Sequence, residues 1–430
     1  MSTNAPKTKA WRPWFVFAGC CVLSFIGFGL IVNTQGLYFN ALSAEFGVGR
    51  SQVSLPLSIE QITAAITMLF AGALLKKIDS RIVISVCIAL AGSVFILGST
   101  FTAIWQFDVA FAVLGVAYVI PIALTPPVLL SNWFNKKLGT VMGIGMGISG
   151  IGGAIFNPVV SNLITAQGWR TAYLITGIAV LVCILPFSIF ALKFAPDPTK
   201  GELPYGYEEQ AGKGAATNAA AQGLDAKKAF MTRAFIFLSI AIIIQQFSNS
   251  LLQHISAHEV QYGFTLSQGA LVMTGTLLGA AAGKMLIGIL LDHLKPAVVV
   301  SLFTCIGILG WGGLLVSHMQ ALSIVAGLFA GIGQGFVLVG IPWVIRNSFG
   351  PKDYSTILSI ISMFGSFANA AFTTLHGTLF DSTGSYVVSI SGGIAIYVVA
   401  AALVIAAYAG RPFHEHKDKE LVEAEVASAA

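Results

Sequence analysis

Charge is what this sequence has least of. Asp, Glu, Lys and Arg make up 10% of its 430 residues, against about 25% in soluble proteins. Beside 56% hydrophobic residues, so little charge excludes a soluble enzyme of this length. Cysteine is sparse too. Cys20, Cys21, Cys87, Cys183 and Cys305 all lie in apolar runs, with no CxxC pair and no His at ligand spacing. That excludes a disulfide scaffold and a structural metal site, and leaves buried free thiols. No nucleophile, base or metal cluster stands out, so no enzymatic activity, cofactor or metal is expected. The net charge of +5 forms no basic stripe, which argues against a nucleic-acid partner. A glycine run at 139–153 lies inside an apolar stretch with no strand before it. It reads as a small-residue helix-packing face and not as a phosphate loop.

What is present is apolar length. A window of about 20 residues, the number needed to cross a bilayer, finds spans near 14–39, 53–75, 82–103, 106–131, 138–164 and 170–193. A second set lies near 233–256, 268–291, 297–316, 320–345, 354–379 and 385–409. The first run exceeds a signal-peptide core and lacks a cleavage site, so it reads as a retained span. The expected organisation is a six-helix bundle over 1–193, a solvated hinge linker over 194–232, a second bundle over 233–410 and a tail over 411–430. The linker reading rests on Pro196, Pro198, Pro204, five acidic residues and an Ala/Gly-rich stretch. Prolines 121, 126 and 127 in the fourth span and Pro158 in the fifth predict kinks or backbone breaks.

Of the 23 Lys and Arg residues, 20 fall on one side of this topology; Arg50 and Arg170 fall on the other and Lys284 lies inside a span. Positive residues near span ends stay in the cytoplasm, so both termini are expected there, in a cytoplasmic membrane. The halves also repeat. At an offset of 216 residues Gly72-Ala-Leu-Leu falls on Gly288-Ile-Leu-Leu, Lys136 on Lys352, Gly168 on Gly384, and Gly177-Ile-Ala on Gly393-Ile-Ala. Two parallel six-helix repeats make the architecture of the major facilitator carriers.

Particular segments narrow the resemblance. Trp133-Phe134-Asn135-Lys136-Lys137, the glycines that follow, and Gly168-Trp169-Arg170-Thr-Ala-Tyr resemble the monocarboxylate-carrier and oxalate/formate-carrier branches. So do the stretch from Glu45-Phe46-Gly47 to Arg50-Ser51 and the turn Asp381-Ser-Thr-Gly384-Ser-Tyr386. The resemblance covers most of 14–409 and implies an all-α membrane fold of twelve helices with a central substrate cavity.

Lys284 is the most informative single residue. It lies in Gly279-Ala-Ala-Ala-Gly283-Lys284-Met-Leu-Ile-Gly288, eight residues before Asp292, hence ~12 Å from the span end. A cation there is costly unless it faces a cavity or a counter-charge. The bland alternative is a snorkelling lysine, but ~12 Å exceeds a ~6 Å side chain. The resemblance implies an anion-binding role, since these carriers hold a basic residue in the eighth helix four residues before a glycine. The chain departs from the family in three respects. Residues 356–379 lack the second cation of the oxalate/formate branch. Asn33 stands near a lysine of the animal monocarboxylate carriers, and Ala280 replaces an acid four residues before the cation. One cation favours a monoanion.

Glu60 is the other charge at depth, ~10 Å from the span end. It reads equally as a proton-coupling carboxyl and as a neutral structural acid or partner of Arg50. Asn33, Thr34, Gln35, Gln61, Gln245, Gln246, Ser248, Asn249, Gln334 and Asn369 are polar residues expected around the cavity, each also readable as interhelical hydrogen-bond glue. Lys76 occupies the position where the superfamily's loop between the second and third helices carries an Asp, while the second copy keeps Asp292. Lys76, Arg81 and Asp292 are therefore expected gating residues between the bundles. Asp108 reads as an interfacial cap, and His254, His258 and Glu259 as surface polar residues. The expected function is an alternating-access secondary carrier of a small organic monoanion, a monocarboxylate, by proton symport or exchange, acting as a monomer in the lipid bilayer. The alternatives are an exporter of a neutral or amphiphilic compound, or a non-transporting membrane sensor.

Overall fold

The computed structural model describes residues 10–207 and 223–410. Lys7, Lys9, the linker's middle at 208–222 and the tail from 411 lie outside the described residues. Twelve helices are long and apolar enough to cross a membrane. In the first half they are α1 Arg12–Tyr38, α2 Leu55–Lys77, α3 Ser80–Gly98, α4 Ile104–Trp133, α5 Leu138–Gln167 and α6 Trp169–Phe190. In the second half they are α7 Arg233–Leu251, α8 Leu271–His293, α9 Pro296–Val316, α10 Gln320–Phe349, α11 Tyr354–Phe380 and α12 Val387–Ala409. The protein is a multi-pass, all-α membrane protein. Outward-facing Phe70, Leu97, Val182 and Phe190 are exposed, as lipid-contacting faces are when each helix satisfies its own backbone.

The same pairings occur in both halves. Helix α1 packs on α5, α2 on α4 and α3 on α6; their counterparts are α7 on α11, α8 on α10 and α9 on α12. Across the halves α5 packs on α8 and α2 on α11, again one pair and its pseudo-symmetric copy. The 216-residue offset therefore has a structural counterpart. Gly168 and Gly384, which it superimposes, both take positive φ, +83° and +68°, and each ends a 30-residue helix. Glycine recurs there because a left-handed turn favours a residue without a Cβ.

Three spans are wound in part as π-helix: Leu23–Val32 in α1, Val119–Leu124 in α4 and Phe336–Gly340 in α10. The last two lie one offset apart, and Pro126 and Pro342 follow them at equivalent positions. In α4 the break falls at Pro121, which lacks an N–H, and Thr125 Oγ1 donates to the Ile120 carbonyl at 2.9 Å. Helix α5, by contrast, continues through Pro158.

The linker corrects an expectation, because its described ends are not freely solvated. Tyr205 N–H donates to the Trp133 carbonyl at 2.8 Å, Asn135 N–H donates to the Tyr205 carbonyl at 3.0 Å, and the Glu202 carboxylate accepts from Lys193 Nζ at 2.6 Å. Leu224 N–H donates to the Phe349 carbonyl at 2.9 Å, and Asp225 pairs with Lys352 at 2.7 Å. Trp133 and Phe349 are one offset apart, so each linker end docks on the same loop of its own half.

Candidate functional site

The halves meet along a seam that is closed at the end carrying Lys76, Lys295 and Lys352, here the basic end. Gly139 in α5 lies against Gly288 in α8, so closely that a Cβ on Gly288 would sit 2.1 Å from the Gly139 carbonyl oxygen. At the equivalent crossing a Cβ on Gly72 of α2 would sit 2.3 Å from the Ser355 carbonyl oxygen of α11. The repeated glycine of the sequence marks the two points where the halves touch backbone to backbone.

Polar clamps flank both crossings. Asp292 accepts from Gly139 N–H, Thr140 N–H and Thr140 Oγ1, each at 2.7 Å, so a carboxylate of one half caps the N-terminus of α5 in the other. Lys76 pairs with Asp353. With the lysine nearly half exposed, that pair contributes only about 0–1 kcal/mol. Arg81 behaves differently from expectation: it pairs with Asp79, two residues away, at 2.7 Å, and among the described residues no hydrogen bond or ion pair joins it across the seam. The loop between α2 and α3 folds Asp79 back as the cap of α3, accepting from Arg81 N–H, and this claims the arginine locally.

Above the crossing, Lys284 is buried, 9% exposed. Its Nζ donates to Ser149 Oγ of α5 at 3.0 Å. The Ser149 hydroxyl in turn donates to the Met146 carbonyl at 2.6 Å, leaving a lone pair to accept from the ammonium. Asn33 Nδ2 of α1 donates to the Ser149 carbonyl at 3.3 Å. Lys284, Ser149 and Asn33 thus join α8, α5 and α1, and among the described residues no carboxylate pairs with the lysine. Ser149 was not legible beforehand; its one distinguishing mark is a hydroxyl within the glycine run.

Gln246, Asn249 and Asn369 form a second group. Gln246 Oε1 accepts from Asn249 Nδ2 at 2.8 Å and from Asn369 Nδ2 at 3.2 Å, tying α7 to α11. No hydrogen bond between the two groups appears among the described residues. Glu60 is fully buried within the first half. Its Oε2 accepts from Gln35 Nε2 at 2.8 Å, while Oε1 has no partner among the described residues. Gln35 stands in the 3₁₀ turn that ends α1, so this carboxyl bonds to the segment where α1 is least regular.

Two expectations about the remaining polar residues are corrected. Asp108 is no cap: Gln106 caps α4 through the Thr102 and Ala103 N–H groups, and Asp108 Oδ1 is buried with no partner among the described residues. His258 and Glu259 are not surface residues; both are 2% exposed. The helix Ile255–Gln261 turns them inward beyond α7, where His258 Nε2 bonds the Leu314 carbonyl at 3.1 Å and His254 Nδ1 meets Tyr386 Oη at 3.3 Å. No group of three or more His, Cys, Asp or Glu among the described residues could hold a metal ion.

Burial pushes the His254 and His258 imidazoles below their ordinary value, with nearby His376 adding to the shift at His254. A depressed imidazole leaves the unfolded chain with more bound protons, so its stability is present above about pH 6.5 and lost as pH falls. Glu259, raised by burial, works in the opposite direction. The thermal midpoint should therefore fall between pH 7.5 and pH 5.5 by more in the wild type than in a His254→Gln/His258→Gln variant. Equal slopes in the two would show that neither imidazole is buried in the neutral form.

The chain matches the family profile described as Major Facilitator Superfamily over residues 20–273 and 238–429. The mouse (Mus musculus) monocarboxylate transporter 12 is 23% identical over 412 residues, covering 90% of this chain and 83% of that protein. An uncharacterized MFS-type transporter of Bacillus subtilis, YcxA, is 24% identical over 191 residues, 44% of this chain and about half (47%) of its own length. Among solved structures, the proton:xylose symporter XylE superimposes with a TM-score of 0.67 over 92% of this chain and 94% of that one, at 13% identity, a likeness of fold.

Proposed function

The chain belongs to the Major Facilitator Superfamily, and from that premise we propose that it carries a small organic monoanion, a monocarboxylate, across the cytoplasmic membrane by alternating access. The observation that carries this reading is Lys284, an ammonium buried at the seam whose described partner is a neutral hydroxyl. An unpaired cation between two halves that must part is a site with room for one negative charge. The likeness to a protein named monocarboxylate transporter supports the same class.

By the distribution of Lys and Arg, the basic end is cytoplasmic, both termini lie there, and the seam in this conformation is closed towards the cytoplasm. The carrier works as a monomer. Glu60 is the proton-coupling group: buried, held by one amide and with one oxygen unpartnered, it links proton occupancy to the irregular end of α1. Glu60→Gln is accordingly expected to abolish accumulation driven by a pH gradient in proteoliposomes while leaving substrate-for-substrate exchange within about threefold of wild type. Unchanged accumulation under an imposed gradient would make Glu60 a structural acid.

A second reading, transport of a neutral compound, draws on the uncharged Gln246, Asn249 and Asn369 group. Retention of carboxylate affinity without the lysine charge would favour it.

A further inference from the structure

A second cation at the seam, partly buried, lies where span prediction places a loop. Arg346 lies inside α10, in its terminal stretch Ile341–Phe349. Its Nη2 donates across the seam to the Ser131 carbonyl of α4 at 3.3 Å, and its Nε is buried with no partner among the described residues. Nearby at the start of α11, the Tyr354 hydroxyl is buried with no partner among the described residues.

The acids described at this end are engaged elsewhere: Asp353 by Lys76 and by Ala226 N–H, Asp292 by the start of α5, Asp225 by Lys352, Asp79 by Arg81, Glu202 by Lys193 and Arg12 and Asp197 by Lys193 and Lys200. Among the described residues Arg346 is thus a guanidinium with one long carbonyl contact, although a guanidinium offers five donors in a fork that fits a carboxylate. Its position relative to Lys284 follows from α10. At Gly335 that helix crosses α8, where an added Cβ would sit 2.7 Å from Lys284 N. Arg346 is eleven residues further on, ~16 Å towards the basic end. That separation is too great for one small anion to touch both cations at once. When the basic end opens, α4 and α10 must part, which frees Nη2 from Ser131 just as a path opens below Lys284.

We infer that Arg346 is a second, transient binding station for the anion, engaged in the conformation open at the basic end and lying between Lys284 and that side of the membrane. The inference rests on the monoanion reading. It needs no group from outside the chain and makes Arg346 a determinant of affinity from one side only.

The test is uptake of radiolabelled L-lactate, alongside a panel running from formate to benzoate, in membrane vesicles of each orientation. Arg346→Gln should raise KM about tenfold when substrate is offered at the basic end and leave it within about twofold at the opposite end. Arg346→Lys, which keeps the charge and loses the fork, should raise it about two- to fivefold on the same side only; it also serves if Arg346→Gln does not fold. KM unchanged on both sides, or changed equally on both, overturns the inference, as does a change in exchange rate alone, the signature of a simple latch. Lys284→Met separates the two claims. Wild-type KM on both sides in that variant defeats the monoanion reading itself, whereas a raised KM there with no sidedness in Arg346→Gln defeats only the second station. A wild type that carries no member of the panel removes both.

Discussion

Lys284→Met is expected to fold and insert normally and to bind a monocarboxylate at least about tenfold more weakly. A hydrogen bond to an ionised group contributes ~1.5–3 kcal/mol, which spans roughly 10- to 150-fold in Kd. Folding should survive because the lysine has no carboxylate to orphan. Its described partner is Ser149, whose hydroxyl still donates to the Met146 carbonyl without it. Removing a buried cation without a counter-charge relieves a desolvation cost. Lys284→Arg should retain part of the affinity, since the charge stays while the donor geometry changes. Calorimetric titration of purified protein measures both. A Met variant that folds and binds with wild-type affinity would transfer the substrate site to the amides around Gln246.

The second large effect concerns closure. Gly288→Val places a Cβ 2.1 Å from the Gly139 carbonyl oxygen and 2.7 Å from the Gly143 Cα. Both obstacles are backbone and cannot swing aside. The halves must separate by about 1 Å or more at this crossing, stretching the bonds from Gly139 and Thr140 to Asp292. Overpacking of this kind costs ~1–3 kcal/mol, which moves a two-state equilibrium about 5- to 150-fold away from the closed basic end. Spin labels at Lys137 and Leu294, where α5 begins and α8 ends, should report a longer distance, and transport should fall at least about tenfold. Gly312→Val is the control, because nothing lies within 4 Å of its Cβ position. Wild-type distances and rates in Gly288→Val would mean that the closed seam is not a state of the cycle.

Much of the fold was legible because a spanning helix announces itself through 20 consecutive side chains. The repeat was legible because glycines at backbone crossings and left-handed turns admit few substitutes. Lys284 was conspicuous for the same reason, as a cation in a run that otherwise carries none. Ser149 was not, because its relation to Lys284 spans 135 positions and two bundles.

Arg346 was lost to the counting rule that finds topology. A basic residue near a span end looks like a loop residue, and only the continuation of α10 to Phe349 shows it held in a helix at the seam, partly buried. His258 and Glu259 were misplaced because the i,i+4 spacing of His254 and His258 fixes a shared helix face and not the neighbour that face meets. The main-chain part of the linker's docking left no mark, since the Tyr205 and Leu224 backbone groups that bind are ones every residue but proline possesses in full.

Counterflow in proteoliposomes tests the central claim most directly. Vesicles preloaded with unlabelled L-lactate, and in parallel with each acid of the panel, are diluted into a trace of the same compound labelled. The account predicts a transient overshoot of label for at least one monocarboxylate, absent for its neutral amide and strongly reduced in Lys284→Met. An overshoot of equal size for acid and amide, or none for any monocarboxylate, would contradict it.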